Sequence, residues 1–600
     1  MRSASFDFSF RTRHLIHSQP SPVSGSSPPP PVEAPEAPLW ALFSLFYFSL
    51  IFESTNFGSL TKVTESRQYN NTIMGMDEKI TAQGDSKSSA RPATRLFNGA
   101  SPSCSSDEHV VGEVRKFGKD IEEQKAAEGH AAFHRLGWKR LTVVLIVEAI
   151  ALGSLSLPGA FAKLGMVAGT ICSVGIGLLA IYTSYVVGQT KLKHPEVEHY
   201  ADAGRLMFGR IGYEVVGVMF VLQLIFIVGS HVLTGTIMWT TLTDGGAGVC
   251  ALVYGVVSAI LLFLLALPPS FAEMAILGYI DFVSIFAAIG ITIIATGLKA
   301  TNSDGGLAAV DWSAWPQPDL TLAEAFIAVT NICFAYSFAM VQFSFMDEMH
   351  TPADFSKSIV ALGGIEIVLY TLTGALIYAF VGQEVQSPAL LSASPLISKI
   401  AFGIALPVIF ISGSINTTVA SKYIITRFWP NSVIKYVNTF KGWVVWIILD
   451  VIITIIAWII AEAIPYFQDL LAISSALFIS GFTFYLPALM WFLVVREGPW
   501  LSKKNIGLGL LNGACFVIGL LILGLGTYSA AWDIVSWTLN NHRKYFHSPV
   551  LTKSTGPQTR RGSQPLQLCR SHLNALTTII GSHRRRDHLT VGSFFYVTVS

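Results

Sequence analysis

Long apolar segments recur from Leu141 onward, separated by short polar stretches, and this pattern limits what the chain can fold into. A helix needs about 20 mostly apolar residues to cross a hydrocarbon core about 30 Å thick, and inside lipid it must satisfy its backbone hydrogen bonds internally. Most of the segments reach this length, so we predict an all-α polytopic membrane protein with about eleven spans. The predicted spans cover residues 141–163, 166–189, 214–240, 249–267, 278–298, 323–345, 358–381, 397–420, 443–464, 469–495 and 506–530.

The composition agrees with insertion into lipid. Charged residues make up 13% of the 600 residues and hydrophobic residues 52%. Soluble domains usually carry about 25% charged residues, whereas a lipid-facing surface needs none. The net charge of +2 gives no reason to expect a nucleic-acid partner. The six cysteines are widely spaced and form no C-x-x-C pair, so we predict no disulfide framework, no zinc site and no cofactor.

Residues 1–137 differ from the rest of the chain and are predicted to form a disordered, cytoplasmic N-terminal tail. Residues 21–38 are rich in proline and serine, a composition that does not build a packed core. The apolar run at 39–52 is short for a span, and is either a signal anchor or a marginal extra span. We interpret residues 1–73 as a possible extension of the gene model.

Basic residues lie mainly in alternate loops, and this bias orients the predicted spans. With the N-terminal tail in the cytoplasm, the inner loops hold twelve Lys and Arg residues and the outer loops three. One missed span would disturb this ratio, so it supports the number of spans as well as their direction. The inner residues are Lys191, Lys193, Arg205, Arg210, Lys357, Lys422, Arg427, Lys435, Lys441, Arg496, Lys503 and Lys504, and the outer ones are Lys163, Lys299 and Lys399.

The C-terminal tail, residues 531–600, disagrees with this orientation. After an odd number of spans it lies outside, yet residues 549–600 carry seven Lys and Arg residues against one acidic residue. Either the number of spans is even, or the tail is read-through beyond the true end of the protein. We expect a disordered or non-native tail and a membrane domain of residues 138–530.

The first predicted span contains a helix-breaking pattern, with Gly153 and Pro158 inside an apolar run. Glycine lowers helix propensity and proline removes an amide donor, and in lipid such a break is tolerated only beside protein or water. We predict that four amides here have no intrahelical partner and bind a carboxylate at the positive end of a half-helix. They belong to Gly153, Ser154, Leu155 and Ser156. The alternative is an ordinary proline kink.

Two titratable residues inside the predicted spans are candidates for proton coupling. Glu148 precedes the break, and a carboxyl group desolvated in a helix bundle can load and release protons. The alternative is a structural carboxylic acid that stays neutral. His231 lies in the third span, where a histidine can relay protons or can serve as a hydrogen-bonded packing residue.

Three stretches combine glycine, proline and charged residues in a distinctive order: GWKRLTVVLIVEAIALGSLSLPGAFAKLGMVAGTI at 137–171, HYADAGRLMFGRIGYEV at 199–215 and FSFMDEMHTPADFSKSI at 343–359. Together they resemble the amino acid/auxin permease (AAAP) family, and most closely its fungal neutral amino-acid permease branch, over residues 137–528. The resemblance implies about eleven helices, in a LeuT/APC-like inverted repeat of five plus five helices plus one. It also implies amino-acid substrates, usually driven by protons.

Under the inverted repeat, the sixth span is the partner of the first. Its candidate break is the segment 333–339, where the resemblance places Ala335, Tyr336 and Ser337 beside the amine of the substrate. The segment contains no glycine or proline, so a continuous helix is the open alternative. Its two phenylalanines are interpreted as part of a pocket for bulky neutral side chains: Phe334 and Phe338.

The eighth span is rich in small polar residues between residues 412 and 418. In related folds a sodium ion, or a group that replaces it, lies at this position beside the break in the first span, which makes Ser412, Asn416 and Thr417 candidates. The alternative is that small residues let the helices pack closely. The fungal resemblance favours protons over sodium. Four other acidic residues in or near the spans are interpreted as structural: Asp281, Glu366, Asp450 and Glu462.

These observations predict secondary active transport, as proton-coupled symport of neutral amino acids, including aromatic or bulky aliphatic ones, by alternating access. An amino-acid sensor with the same fold and little net transport is one alternative, and a channel is another. The loops contain no phosphate loop, metal-ligand cluster or nucleophile motif, so we expect no enzyme. The plasma membrane is the expected location and the vacuolar membrane the alternative, and no oligomeric state is predicted.

Overall fold

The computed structural model describes residues 137–245, 249–269, 271–430, 432–499 and 501–546. The predicted N-terminal tail, including the apolar run at 39–52, and the tail beyond residue 546 lie outside the described residues. The side chain of Glu148 also lies outside the described part, although its backbone belongs to a helix.

Eleven main helices are labelled here, in chain order, within the described part of the chain. They are α1 Trp138–Leu164, α2 Met166–Lys193, α3 Tyr200–Leu242, α4 Ala251–Ala266, α5 Phe271–Thr301, α6 Leu322–Ala335, α7 Phe355–Val381, α8 Pro395–Phe428, α9 Phe440–Ala463, α10 Phe467–Val495 and α11 at 506–546. A short helix, Gln342–Asp347, lies between α6 and α7. Parts of α10 and α11 have π-helical geometry, at Ser475–Tyr485, Trp491–Val495 and Ile522–Gly526. Short 3₁₀ helices lie at Gly306–Ala309, Pro352–Asp354, Gly382–Glu384, Ala389–Ser392 and Val433–Tyr436.

Each predicted span overlaps one of these helices, although the sixth extends past the end of α6, and the described residues contain no β-strand, so the all-α polytopic architecture is confirmed. Among the described residues, eight helices are long and apolar enough to cross a membrane, or nine if the bent α1 counts as one span. The apolar helices α4 and α6 are shorter, with 16 and 14 residues. The number of membrane crossings therefore stays a prediction.

Several helices are longer than the sequence predicts, and the differences are largest for α3 and α11. α3 begins at Tyr200 rather than at residue 214, and it is divided at Gly209, whose φ of 65° and ψ of −144° are not helical. A positive φ is readily adopted only by glycine, which explains why the chain changes direction there. α11 continues through Phe546, beyond the predicted end of the membrane domain at residue 530.

The helix α1 is buried in the interior of the bundle, where it packs against α5, α6, α7 and α8. Its apolar side chains point in every direction, and Val144, Ile150 and Leu157 are each fully buried. A helix that is apolar on all sides is expected to be surrounded by others. By contrast, α9 exposes one apolar side, as expected of a lipid-facing surface: Ile448, Ile452, Ile455 and Ile459.

The described cysteines differ from the prediction at one position. Cys172, Cys333 and Cys515 are free thiols, whereas Cys250, which precedes α4, is disulfide-bonded. The prediction of no disulfide is therefore wrong for Cys250.

Candidate functional site

The first predicted span is bent rather than opened. The segments Trp138–Val147 and Leu152–Leu164 make an angle of 51°, while the whole of α1 keeps helical backbone geometry. The bend falls at residues 148–151, before the four residues that were predicted to have free amides. The prediction that the backbone is unwound from Gly153 to Ser156 is therefore corrected, because these residues are helical and buried.

Side-chain hydroxyls bind the carbonyl groups at the bend. Tyr370 of α7 donates its hydroxyl hydrogen to the carbonyl oxygen of Ala149, at 2.9 Å. Ser154 donates to the carbonyl oxygen of Ile150 at 2.7 Å. A group inserted among the helical hydrogen bonds is a known cause of a kink. The bend is thus stabilised by contacts from α7 and from α1 itself.

Gly153 is required for a close approach between α1 and α6 rather than for unwinding. A Cβ atom placed at Gly153 would lie 2.7 Å from the Cα atom of Ala335 and 3.2 Å from the hydroxyl oxygen of Tyr370. Real Cβ atoms do not approach backbone atoms so closely, so only glycine fits here. The predicted site residues Gly153 and Ala335 are therefore in direct contact.

The sixth predicted span is interrupted, which resolves the alternative left open by the sequence. α6 ends at Ala335, and Tyr336 leaves the helix with φ −102° and ψ 43°. The chain then makes turns, with the amide of Met340 donating to the carbonyl oxygen of Ser337 at 3.1 Å, before the helix Gln342–Asp347 begins. All three predicted residues at this break are buried: Ala335, Tyr336 and Ser337.

Tertiary contacts of Tyr336 explain a break that has no glycine or proline. Its carbonyl oxygen accepts a hydrogen bond from Thr483 in the π-helical part of α10, at 3.4 Å. Its hydroxyl lies 3.3 Å from that of Ser173, and its ring packs edge-on against Tyr370 with 5.1 Å between the ring centres. Gly177 of α2 leaves space for the ring, because a Cβ atom there would lie 2.9 Å from it.

Tyr370, Thr483, Ser173 and Gly177 were not among the predicted site residues. All four lie on helices other than the bent α1 and the interrupted α6, so no pattern within those two spans points to them. A tyrosine inside an apolar span is the only one of these features that the sequence marks, because a buried hydroxyl needs a partner.

The structure brings His231 of α3 together with Ser412 of α8. The Nδ1 atom of His231 lies 2.7 Å from the carbonyl oxygen of Ile409, which can only accept, so Nδ1 carries the hydrogen. Nε2 lies 3.4 Å from the hydroxyl of Ser412 and accepts from it in the neutral ring. The two other predicted residues of α8 donate to carbonyl groups of their own helix, Asn416 to Ser412 and Thr417 to Gly413.

Acidic side chains are buried in three of the described helices. Asp281 of α5, Glu366 of α7 and Asp450 of α9 have no exposed surface. Asp450 accepts a hydrogen bond from Ser421 at 2.5 Å, which suits the structural role that the sequence analysis gave it. Asp281 is fully enclosed as well, but it has no such partner among the described residues.

The end of the interrupted helix that is predicted to face the cytoplasm is held by ion pairs. Asp347 accepts from Lys191 of α2 at 2.8 Å, and Glu348 pairs with Lys422 of α8. His199, which precedes α3, lies 2.8 Å from the hydroxyl of Ser344 in the same short helix. Burial lowers the pKa of His199 to about 3, so the ring is neutral at ordinary pH.

At the opposite end of the bundle, Lys163 of α1 donates to Glu324 of α6 at 2.7 Å, with both side chains substantially exposed. A groove of about 340 Å³ lies elsewhere, between α2 and α7, beside Leu178, Tyr185 and Val360. These residues are apolar and partly or largely exposed, which fits a lipid contact rather than the polar site at the two breaks.

A helical membrane bundle in which a bent helix meets an interrupted helix, at buried polar and aromatic groups, is typical of membrane transporters. The sequence matches the family described as "Transmembrane amino acid transporter protein" over residues 134–531, and the chain belongs to this family. It is therefore a multi-pass membrane protein that transports amino acids, in a family of transporters rather than of enzymes.

Similar proteins cover the same region. The chain is 71% identical over 433 residues to the "N amino acid transport system protein" of Neurospora crassa, covering 72% of this chain and 92% of that one. It is 31% identical over 405 residues to a "Transmembrane transporter" of Gibberella moniliformis, covering 66% and 84%. Among solved structures it is similar to Mhp1, a nucleobase-cation-symport-1 family transporter, with a TM-score of 0.43 and 13% identity over 68% of this chain and 94% of that one.

Proposed function

We propose that this chain is a proton-coupled symporter of neutral amino acids that works by alternating access. The observation that supports the proposal is the contact of Gly153 in the bent α1 with Ala335 at the end of α6, where the backbone leaves the helix. Helix discontinuities of this kind expose helix ends to a ligand in the middle of a membrane bundle.

The two helix ends match the charges of an amino acid. The segment Leu152–Leu164 begins at the bend, and if α1 opens there when substrate binds, the amides at the start of this segment would form an amino end with a positive partial charge. α6 ends at Ala335, and its carboxyl end carries a negative partial charge. We assign the substrate carboxylate to the first residues of the α1 segment, and the substrate ammonium to the carbonyl groups at the end of α6. The residues are Gly153, Ser154, Leu155 and Ser156 in α1, and Ala335, Tyr336 and Ser337 at the break in α6.

Entry of the substrate requires the two helices to separate, because Gly153 and Ala335 touch. The ion pairs of Asp347 and Glu348 hold the inner end of the interrupted helix, and the pair of Lys163 and Glu324 joins the outer ends. Alternating access would break one set while the other persists.

The preference for neutral substrates follows from the side chains around the break. Leu155, Phe334 and Phe338 are apolar and buried. A charged side chain of the substrate would lie among them without a partner, which is strongly unfavourable. The name of the Neurospora crassa relative supports an amino-acid substrate.

We assign proton coupling first to Glu148, which lies in the bend of α1. A carboxyl group there would be neutral while the site is closed and would lose its proton when water enters. His231 is the second candidate. Protonating its Nε2 atom would turn the hydroxyl of Ser412 from donor to acceptor, and so would change the contact between α3 and α8.

Uptake measurements test the proposal. The chain is expressed in cells that lack amino-acid permeases, and labelled phenylalanine, leucine, lysine and glutamate are supplied with and without a protonophore. We expect accumulation of the two neutral amino acids, and its loss when the proton gradient is collapsed. Binding without accumulation would identify a sensor instead, and accumulation that follows a sodium gradient would exclude proton coupling. A fluorescent fusion distinguishes the plasma membrane, which we propose, from the vacuolar membrane.

A further inference from the structure

Asp281 of α5 is a buried acid that has no visible structural role. It has no exposed surface, and neither of its carboxyl oxygens has a hydrogen-bond partner among the described residues. Buried carboxyl groups nearly always have partners, and those inside membrane bundles mark functional sites. We propose that Asp281 is a proton-binding residue of the transport cycle, at the junction of α1, α5 and α8. This inference rests on the proposed proton-coupled transport and adds a further proton-binding residue to it.

The neighbours of Asp281 along α5 show where it lies. A Cβ atom at Gly278, one turn earlier, would be 3.5 Å from the side chain of Val147 in α1. Ser284, one turn later, donates to the carbonyl oxygen of Ile404 in α8. At about 100° per residue, these two positions lie about 60° to either side of Asp281 around the helix axis. Asp281 is therefore directed between α1 and α8.

The depth of Asp281 is that of the bend. Val147 is the last residue before the bend in α1, and Asp281 lies one turn beyond the position in α5 that meets it. Ser358, at the start of α7, bonds to the carbonyl oxygen of Trp138 at the start of α1, and Phe380, at the end of α7, meets Gly297 at the end of α5. α1 and α5 therefore run in the same direction, and Asp281 is level with residues 148–151. Movement at the bend would therefore change the surroundings of this carboxyl group directly.

At this depth, the titratable groups of the helices packed against α5 are acids. α5 packs against α1, α7 and α8, where the corresponding residues are Glu148 of α1 and Glu366 of α7, and α8 has no titratable residue between 404 and 411. A second negative charge among such neighbours is disfavoured, as is any unpaired charge in the interior.

The cations of the packed helices lie at helix ends and are paired elsewhere. Those nearest the ends of α1, α7 and α8 bind other acids: Lys163 binds Glu324, Lys357 binds Asp354, Lys399 binds Asp244 and Lys422 binds Glu348. Lys139 and Arg140 stand at the exposed inner end of α1. Asp281 therefore keeps its proton in this closed arrangement, and it releases the proton when α1 or α8 moves away and water reaches it.

The test compares Asp281→Asn with Asp281→Glu and with Asp450→Asn, a buried acid that already has a partner in Ser421. Each variant is reconstituted in vesicles, where accumulation of labelled substrate under an imposed pH gradient and exchange at equal pH are measured. With one proton per substrate, a gradient of one pH unit supports about tenfold accumulation. We expect Asp281→Asn to reduce this to equal concentrations inside and outside while exchange continues. Asp281→Glu restores accumulation with a shifted pH profile, and Asp450→Asn behaves as the wild type.

Accumulation by Asp281→Asn equal to that of the wild type would overturn the inference and leave the proposed function intact. Loss of exchange in both Asp281 variants would identify a structural residue and would also overturn it. A wild-type protein that ignores the pH gradient would overturn the proposed coupling itself, whatever the variants do. A pH-sensitive dye inside the vesicles gives a second readout, because substrate entry should acidify the lumen in the wild type and not in Asp281→Asn.

Discussion

The hydroxyl of Tyr370 donates to the carbonyl oxygen of Ala149 at 2.9 Å, and so joins α7 to the bend of α1. The same tyrosine ring packs edge-on against Tyr336 at the break in α6. One side chain therefore contacts both the bend in α1 and the break in α6.

Tyr370→Phe removes this hydrogen bond and leaves the buried carbonyl group of Ala149 without the hydroxyl donor. We expect the free energy of unfolding to fall by about 1–2 kcal/mol. Thermal unfolding in detergent measures the change. Tyr185→Phe is the matched control, because the Tyr185 side chain is 48% exposed. Equal unfolding temperatures for the two variants would show that the bend does not depend on Tyr370.

Gly153→Val places two methyl groups where a single Cβ atom already comes within 2.7 Å of Ala335. We expect α1 and α6 to be forced apart and saturable substrate binding to be lost, although the protein still reaches the membrane. Gly364→Val is the control, since nothing lies within 4 Å of a Cβ atom at Gly364. Normal substrate affinity in Gly153→Val, measured by concentration-dependent uptake, would move the substrate away from this contact.

Glu148→Gln keeps the shape of the side chain but removes the titratable group from the bend. We expect exchange of labelled for unlabelled substrate to persist and accumulation against a gradient to disappear, because the proton no longer travels with the substrate. Glu462→Gln, near the end of α9, serves as the control. Uphill accumulation by Glu148→Gln at the wild-type level would remove Glu148 from coupling.

Lys422→Met breaks the ion pair with Glu348. In this pair the lysine side chain is 14% exposed and the glutamate side chain 6% exposed. The mostly buried carboxylate of Glu348 then has a weaker set of partners. We expect the free energy of unfolding to fall by about 2 kcal/mol and the inner end of the interrupted helix to loosen. Lys357→Met is the control. It breaks the exposed ion pair with Asp354 and should lower the free energy of unfolding by about 0.5 kcal/mol or less. Protease sensitivity from the inner side measures the loosening, and similar digestion rates in both variants would contradict it.

His199 makes stability depend on pH below neutrality. Its pKa is about 3 in the folded protein, because of burial, against a usual value of about 6.5. Between these values the unfolded chain binds a proton that the folded protein does not, so folding stability falls as the pH falls. From pH 6.5 to pH 5 the loss is about 2 kcal/mol. His199→Gln should flatten this part of the stability profile, and an unchanged slope would assign the pH dependence to other groups.

Much of the architecture was predictable from the sequence. A run of about 20 apolar residues has few stable arrangements in lipid other than a helix, so the positions of the spans follow from composition alone. The pattern around Gly153 and Pro158 correctly marked α1 as irregular. It did not locate the irregularity, because the bend is set by the hydroxyl groups that reach the carbonyls of Ala149 and Ile150.

The sequence by itself determined a helical membrane bundle, its family and an irregular first helix, because length and apolarity act locally along the chain. The tertiary structure alone decided the break at Tyr336, which no glycine or proline announces, and the enclosure of Asp281. Both depend on partners distant in the sequence, such as Thr483 and Val147. Whether a backbone bends or a carboxyl group is isolated depends on which atoms surround it, and only the packed helices specify that.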